Sequence, residues 1–338
     1  MKIGILKDST TNAHQNYINA CKDLGVDYEL IDIMIADWID KIKSSDCAGF
    51  LVKPAVFKQY HKDMYDERVY FIETILKRPV YPSFNEIFIY ENKNNMYYWL
   101  ESHNIPHPKT YLFYDKNEAL EFINTANYPL VFKTKIGSAG LGVKFVKNKR
   151  QAKKLIRKAF PYKPHIVLGW IHPGITKVVV SKRCKLARTK MVDDKQYGFV
   201  MFQEKLPQIK CEWRMIKIGE SYFGHQKLEA KNGKHSGSGL VGWVGPPKEL
   251  LDLVKHICDL GNFNSMNVDI FETVDGKYYV NELQTIFGSI DNSQMYIDGV
   301  PGRYKFINGE WVFEEGYFSQ NASMNLRVEN FVNILKNK

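Results

Sequence analysis

The chain has 338 residues, 44% of them apolar and 14% aromatic, with 47 basic against 37 acidic side chains and a formal net charge of +10. That length exceeds one ordinary core and points to two or three domains, while no apolar run is long enough to cross a bilayer. Five scattered cysteines (Cys21, Cys47, Cys184, Cys211, Cys258) without a Cys-x-x-Cys pair exclude a disulfide framework or a zinc site and predict reduced thiols in the cytoplasm.

Residues 1–7 hold one short apolar patch followed by charge, which is not a signal-peptide pattern. Strands are predicted at Lys2–Leu6, Asp27–Ile33 and Ala48–Val52, with a short extended piece at Pro79–Pro82. Helices are predicted at Ala13–Leu24, Asp37–Ile42 and Tyr65–Leu76. This alternation implies a small parallel sheet, and the missing Gly-x-Gly-x-x-Gly after the first strand argues against a dinucleotide site there. A helix follows at Asn94–His103, ended by Ile105-Pro106-His107-Pro108. Thr110–Phe113 and Leu130–Lys135 read as strands around a helix at Lys116–Asn124. A glycine loop, residues 136–142, leads to a strand at Val143–Val146. Lysines cluster at 144–163 and 183–195, and 149–158 reads as an amphipathic helix with Ala152, Leu155, Ile156 and Ala159 on one face. The basic balance suits nucleic acid, an anionic surface or anionic small molecules, and no nucleic-acid module signature is present. Residues 164–206 are irregular. Glu212–Ile218 and Ser221–Leu228 form a predicted hairpin about Gly219-Glu220, and Glu249–Leu260 a helix.

Two stretches near the C-terminus, Asn267–Thr273 and Lys277–Gln284, flank Val274-Asp275-Gly276, a strong hairpin signal. With Asp275 and Gly276 as the two central turn residues, 274 faces 277, 271 faces 280 and Asp269 faces Glu282, with Gln284 two residues on along the same face. Opposed like charges cost stability unless a cation sits between them. Either these are two solvated acids on a hairpin edge, or hard oxygen ligands for Mg²⁺ shared with substrate phosphates. The 129–143 segment offers a similar choice between a plain glycine hairpin and a backbone cradle for phosphate edged by Lys133. It is not a Walker A loop, because no Gly-Lys-Ser/Thr opens a helix.

Taken together, these segments resemble the ATP-grasp superfamily, as in D-alanine–D-alanine ligase and glutathione synthetase, over residues 88 to 292. The resemblance implies a mixed α/β fold. An N-terminal parallel α/β domain (1–90) would precede a lid subdomain (91–203, with an insertion near 160–200) and a C-terminal subdomain (204–338), the last two clamping ATP. It also implies site residues. Lys93 and Lys133 match the two nucleotide-phosphate lysines, and Gly137, Ser138, Ala139 and Gly140 the loop over the phosphates. Gln203, Glu204, Lys205 and Leu206 match the strand that holds adenine, and Glu212 the ribose-binding acid. Arg214 and Lys227 match the cations that meet phosphate or acyl phosphate. Asp269, Glu282 and Gln284 match the metal set, for Mg²⁺ or Mn²⁺. Glu282–Gly288 follows the family's Glu-x-Asn-Thr-x-Pro-Gly order, with Gln284 for Asn and Phe287 for Pro, and Gly288 falls beside the acyl acceptor.

The implied reaction is ATP-dependent ligation, with a carboxylate activated as acyl phosphate and captured by an amine, releasing ADP and phosphate. The substrates would be small molecules: an amino acid, a peptide or a sugar acid. An ATP-grasp phosphotransferase and a non-enzymatic nucleotide-binding protein are the rival readings. The sequence leaves open whether the chain pairs as a homodimer.

Overall fold

The computed structural model describes residues 1–8, 11–54, 58–137, 142–161, 196–228, 240–287 and 295–337. Two compact units emerge, one of residues 1–109, 135–142 and 206–338, the other of residues 110–134 and 143–205.

The larger unit begins with a parallel sheet, β1 (Lys2–Lys7), β2 (Asp27–Asp32), β3 (Phe50–Val52) and β4 (Val80–Tyr81), in the order β2-β1-β3-β4. Alternation along the strands sorts side chains to two faces. Ile3, Ile5 and Leu51 meet Tyr17 and Ile18 of α1 (Gln15–Asp23), while Leu6, Phe50 and Val52 meet Ile42 of α2 (Trp38–Ser44) and Tyr65 and Val69 of α3 (Gln59–Tyr70). The expected parallel α/β arrangement is therefore present. The helix predicted at Tyr65–Leu76 is present but begins six residues earlier. α3 starts at Gln59 and continues into a π-helical stretch, Phe71–Ile75. α4 (Phe84–Ile89) was not anticipated. It opens with a capping box in which Ser83 Oγ accepts from Glu86 N and Glu86 returns to Ser83 N. α5 (Lys93–Ser102) follows.

A second, antiparallel sheet carries β9 (Ile209–Ile218), β10 (Ser221–Lys227), β11 (Val241–Gly242), β12 (Ser265–Thr273) and β13 (Tyr278–Gln284), then β14 (Tyr296–Ile297), β15 (Val300–Ile307) and β16 (Glu310–Glu315). Its main order is β13-β12-β9-β10-β15-β14, with β11 beside β10 and β16 beside β15. One face is apolar: Trp213, Met215, Val268, Ile270, Val280 and Leu283 pack against α8 (Lys248–Gly261) and against Met96 and Leu100 of α5. Each such side chain contributes about 1.5–3 kcal/mol by burial, so a one-residue slip that exchanged the faces is strongly disfavoured. α9 (Gln320–Lys336) returns to the first sheet, where Met324, Val328 and Phe331 complete the cluster around Ile3, Ile5 and Tyr17.

The smaller unit is an antiparallel sheet of β5 (Thr110–Phe113), β6 (Leu130–Lys133), β7 (Val143–Val146) and β8 (Val200–Glu204), ordered β5-β8-β6-β7. α6 (Lys116–Thr125) and α7 (Lys149–Ala159) pack on it through Ala119, Ile123, Ala152 and Ile156. Among the described residues no helix is long and apolar enough to cross a membrane, and Cys21, Cys47, Cys211 and Cys258 are buried free thiols.

Candidate active site

The site is built on the polar face of the second sheet, and its register depends on two offsets. The turn is not the expected two-residue type. Gly276 N donates to Thr273 O (2.9 Å), Thr273 N donates to Lys277 O (3.0 Å), and only Gly276 within the loop takes a positive φ, of 77°. This is a three-residue loop, a type I turn closed by a left-handed glycine. The pairings 274–277 and 271–280 are thus corrected: Glu272 faces Tyr278, Phe271 faces Tyr279 and Ile270 faces Val280. A β-bulge at Asn281 then shifts the register by one, so Asp269 faces Glu282 and Asn267 faces Gln284, as expected. The bulge also re-aims Asn281, whose Nδ2 donates to Glu212 Oε1 (3.3 Å).

Across the other edge of β12, Asp269 lies in register with Arg214 of β9, which faces His225 of β10. Glu212 faces Lys227 in the neighbouring row. Alternation therefore brings Glu212, Arg214, Lys227, Asp269 and Glu282 onto one face.

The expected repulsion between Asp269 and Glu282 is absent, because cations occupy the space around Asp269. Its Oδ1 accepts from Arg214 Nε (3.1 Å) and Asn267 Nδ2 (3.1 Å), and its Oδ2 from Arg214 Nη2 (3.3 Å) and Lys227 Nζ. Lys227 also reaches Glu212 Oε1 at 3.2 Å, and Lys93 lies 3.4 Å from Glu282 Oε1. Three acids are matched by three cations. Burial alone would raise the Asp269 carboxyl, but Lys227 and Arg214 outweigh it and hold the group well below the usual carboxylate range. At Glu212 burial wins: despite Lys227 the carboxyl is raised, with Asp269 adding to the effect. Burial lowers the Arg214 guanidinium, yet its contact with Asp269 leaves it raised overall.

Lys93 is the first residue of α5, behind the N-cap Asn92, whose side chain accepts from Asn95 N at 3.2 Å. Its Nζ donates to Gly137 O at 2.5 Å, and its backbone N to Lys135 O at 2.9 Å. Glu91, buried and raised in pKa by that burial, takes a positive φ of 49° and accepts from Gly137 N at 3.4 Å. The start of the glycine loop is thus tied to the lysine that pairs with Glu282. Ser138, Ala139, Gly140 and Gly288 lie outside the described residues, as does most of the predicted insertion near 160–200.

In the smaller unit Lys133 is buried at the end of β6, in register with Val143 and Met201. Gln203 is in register with Thr110 and Val131, and its Nε2 donates to Thr110 Oγ1 (2.8 Å). Glu204 accepts from Tyr111 Oη (2.7 Å), and Lys205 Nζ stands 5.8 Å from the Phe145 ring centroid. Leu206 belongs to the larger unit.

Asp269, Glu282 and Gln284 are donors of the kind a hard divalent cation takes, and in the structure both Asp269 oxygens accept from Arg214 and Lys227 in that place. Asp269 and Glu282 supply carboxylates on one face, with the Gln284 amide two residues along. Asn267, opposite Gln284, is fully buried, and its Oδ1 has no hydrogen-bond partner among the described residues. Asn267 was missed from sequence, although its place two residues before Asp269 on the same strand was a usable signal.

A family profile described as a RimK-like ATP-grasp domain matches residues 90–171. The chain is 30% identical over 129 residues to alpha-aminoadipate–LysW ligase LysX of Saccharolobus solfataricus. That match covers 37% of the chain and 44% of the relative, so the chain spans less than half the length of the curated relative it matches. Among solved structures, D-alanine–D-alanine ligase from Bacillus anthracis aligns with a TM-score of 0.58 at 15% identity, over 100% of this chain and 99% of the other. A RimK domain ATP-grasp protein from Sphaerobacter thermophilus aligns at 0.52 and 15% identity, over 84% and 90%. The sheet arrangement and these likenesses agree: the chain has the ATP-grasp fold, and its residues 90–171 match the RimK-like ATP-grasp profile.

Proposed function

We propose that the protein is an ADP-forming, ATP-dependent carboxylate–amine ligase. The observation that carries this reading is the charge-balanced face of Asp269, Glu282 and Glu212 against Arg214, Lys227 and Lys93. These cations are held by acids at fixed positions, so a polyphosphate would meet them already oriented. Mg²⁺, when bound by Asp269, Glu282 and Gln284, would supply further neutralisation of phosphate charge.

The reaction balances without a protein nucleophile. A substrate carboxylate oxygen attacks the γ-phosphorus of ATP, forming an O–P bond as the bond to the β-phosphate oxygen breaks and ADP leaves. An amine nitrogen then attacks the acyl carbon, the C–N bond forms, phosphate departs and the nitrogen loses a proton. Arg214 and Lys227 stabilise charge on the phosphoryl and acyl oxygens. Lys93 does so beside Glu282 and fixes Gly137. The substrates are small carboxylates and amines of the amino-acid, peptide or sugar-acid class.

ADP and phosphate are expected as products, with AMP absent. Hydroxylamine should convert the activated carboxylate to a hydroxamate when the amine is omitted. AMP release, or a stable phosphorylated product that no amine displaces, would overturn the ligase reading in favour of a phosphotransferase.

In the smaller unit, Lys133 is proposed to contact phosphate. Lys133→Ala should weaken ATP binding about tenfold to a hundredfold, a charge-assisted contact of roughly 1.5–3 kcal/mol, with little change for adenosine. Parallel calorimetric titrations decide it, since equal losses for both ligands place Lys133 away from the phosphates.

A further inference from the structure

α7 differs from the other exposed helices among the described residues. It carries Lys149, Arg150, Lys153, Lys154, Arg157 and Lys158 and no acid, which is six of the positive charges behind a net +10. All six are exposed. Elsewhere the solvated faces mix signs: α8 pairs Lys248 with Asp252 and Lys255 with Asp259, and α2 pairs Lys41 with Asp37. Among the described residues no ion pair joins an α7 cation to an acid. The cations fall in two rows, 149–153–157 and 150–154–158, so each row repeats a like charge at the destabilising i, i+4 spacing. Two of them sit in the first turn, where the helix dipole disfavours positive charge. A surface that only needed solvation would not concentrate these arrangements.

Beside the rows, α6 and α7 enclose a cleft of about 380 Å³, lined by Lys149 and Lys153 together with Asn117, Asn124, Leu120 and Ile123. Glu121 is the single acid in its lining. We propose that this cleft and the cation rows beside it form a docking site for an acidic polypeptide segment.

The chemistry selects that partner. Asparagine amides both donate and accept, which suits a peptide backbone, and half-buried Leu120 offers an apolar seat for one side chain. Each row spans about 12 Å, the length of about four extended residues, so a short run of Asp and Glu places one carboxylate against each cation. A nucleic-acid single strand is held by stacking aromatics as well as by cations, and α7 has none. A membrane surface would need a free apolar face, but Ala152, Ile156 and Ala159 are buried in the core of the unit. The docking surface stands independently of the ligase reading.

The test uses the full chain and a fluorescent peptide of about ten residues, Asp and Glu with one central Leu, read by anisotropy at about 50 mM and about 500 mM salt. Its Asn/Gln counterpart, an RNA of equal length and phosphatidylserine vesicles are the other probes. The acidic peptide should bind at least about tenfold tighter than every other probe at low salt, and lose most of that affinity at high salt. The quadruple variant Lys149→Gln, Lys153→Gln, Lys154→Gln, Arg157→Gln should bind it at least about tenfold more weakly, with an equal or higher melting temperature because the like-charge rows are relieved. Asn124→Ala, which leaves every charge in place, should weaken binding several-fold. ATP binding should be unchanged in both variants. Tighter binding of RNA or vesicles, equal binding of the neutral peptide, or wild-type affinity in the quadruple variant would overturn the proposal. Wild-type affinity in Asn124→Ala would overturn the placement in the cleft.

Discussion

Asp269→Asn should abolish Mg²⁺-dependent turnover and lower stability markedly, whereas Glu282→Gln should abolish turnover at a smaller cost in stability. The two acids face each other across β12 and β13, but their surroundings differ. The Asp269 side chain is 1% exposed and holds both Arg214 and Lys227. Neutralising it leaves two largely buried cations short of a counter-charge, an uncompensated arrangement that costs about 3 kcal/mol or more. Glu282 is 18% exposed and meets a single cation, Lys93, at 3.4 Å, and Lys93 keeps its bond to Gly137 O, so the loss of the Glu282 charge leaves one buried cation partly compensated and should cost less than the loss of Asp269. Sequence alone suggests the opposite for Asp269, a gain on relief of like-charge repulsion. The ion pairs reverse that sign. Chemical denaturation together with ADP release separates the two variants, and wild-type turnover in either would remove the metal assignment.

The same contacts set the pH dependence. The folded Asp269 carboxyl lies below its unfolded value of about 3.9. Its stabilisation is therefore complete above that value and lost as pH falls through the folded one. Asp269→Asn should flatten this acid limb of the stability profile.

Lys227→Met should lower kcat about a hundredfold to a thousandfold, the range found when one preorganised charge-stabilising donor is removed. Lys227 bridges Glu212 Oε1 and Asp269 Oδ2, so its loss leaves Arg214 facing two acids. Glu212 is already raised by burial, and without Lys227 it should rise further. A carboxyl raised above its unfolded value stabilises the fold only while protonated. Stability in this variant should thus fall as pH increases from about 4.3 through the folded value of Glu212, a limb that Lys227 shortens in the parent. A flat profile over that interval would place Lys227 outside the Glu212–Asp269 network.

The sheets were legible in the sequence where alternation was strong. β7 (Val143–Val146) and the β9–β10 hairpin about Gly219-Glu220 occur where the pattern places them. The opposition of Asp269 and Glu282 was also read correctly, but through two compensating offsets. The turn is one residue longer than an Asp-Gly pair implies, and Asn281 bulges out to restore the count. A bulge leaves no mark on a period-two pattern until the partner strand is known. α4 was hidden because Phe84–Ile89 is too short to display a helical period, although Ser83 and Glu86 already spelled its capping box. The candidate site was legible as a set of residue types on one face. Which cation reaches which acid was not, since Arg214 and Lys227 lie 55 and 42 positions before Asp269 and meet it only through sheet order. Glu91 escaped for the same reason, since Gly137 lies 46 positions away, whereas Asn267, two residues before Asp269 on the same strand, carried a signal that was overlooked.

The return of α9 to the first sheet imposes an order on biosynthesis. Ile3, Ile5 and Leu51 leave the ribosome early, yet Met324, Val328 and Phe331, which cover them, follow about 240 residues after β4. At roughly 5–20 residues per second that interval lasts on the order of 12–48 s. Throughout it the nascent sheet presents an apolar face partly shielded by α1 alone, a target for trigger-type holdases and for pairing between neighbouring chains on one polysome. Slow translation of the central region would lengthen that exposure, so the yield of folded protein should depend on codon choice across residues 82–319 more than on the rate at which the first sheet itself is made.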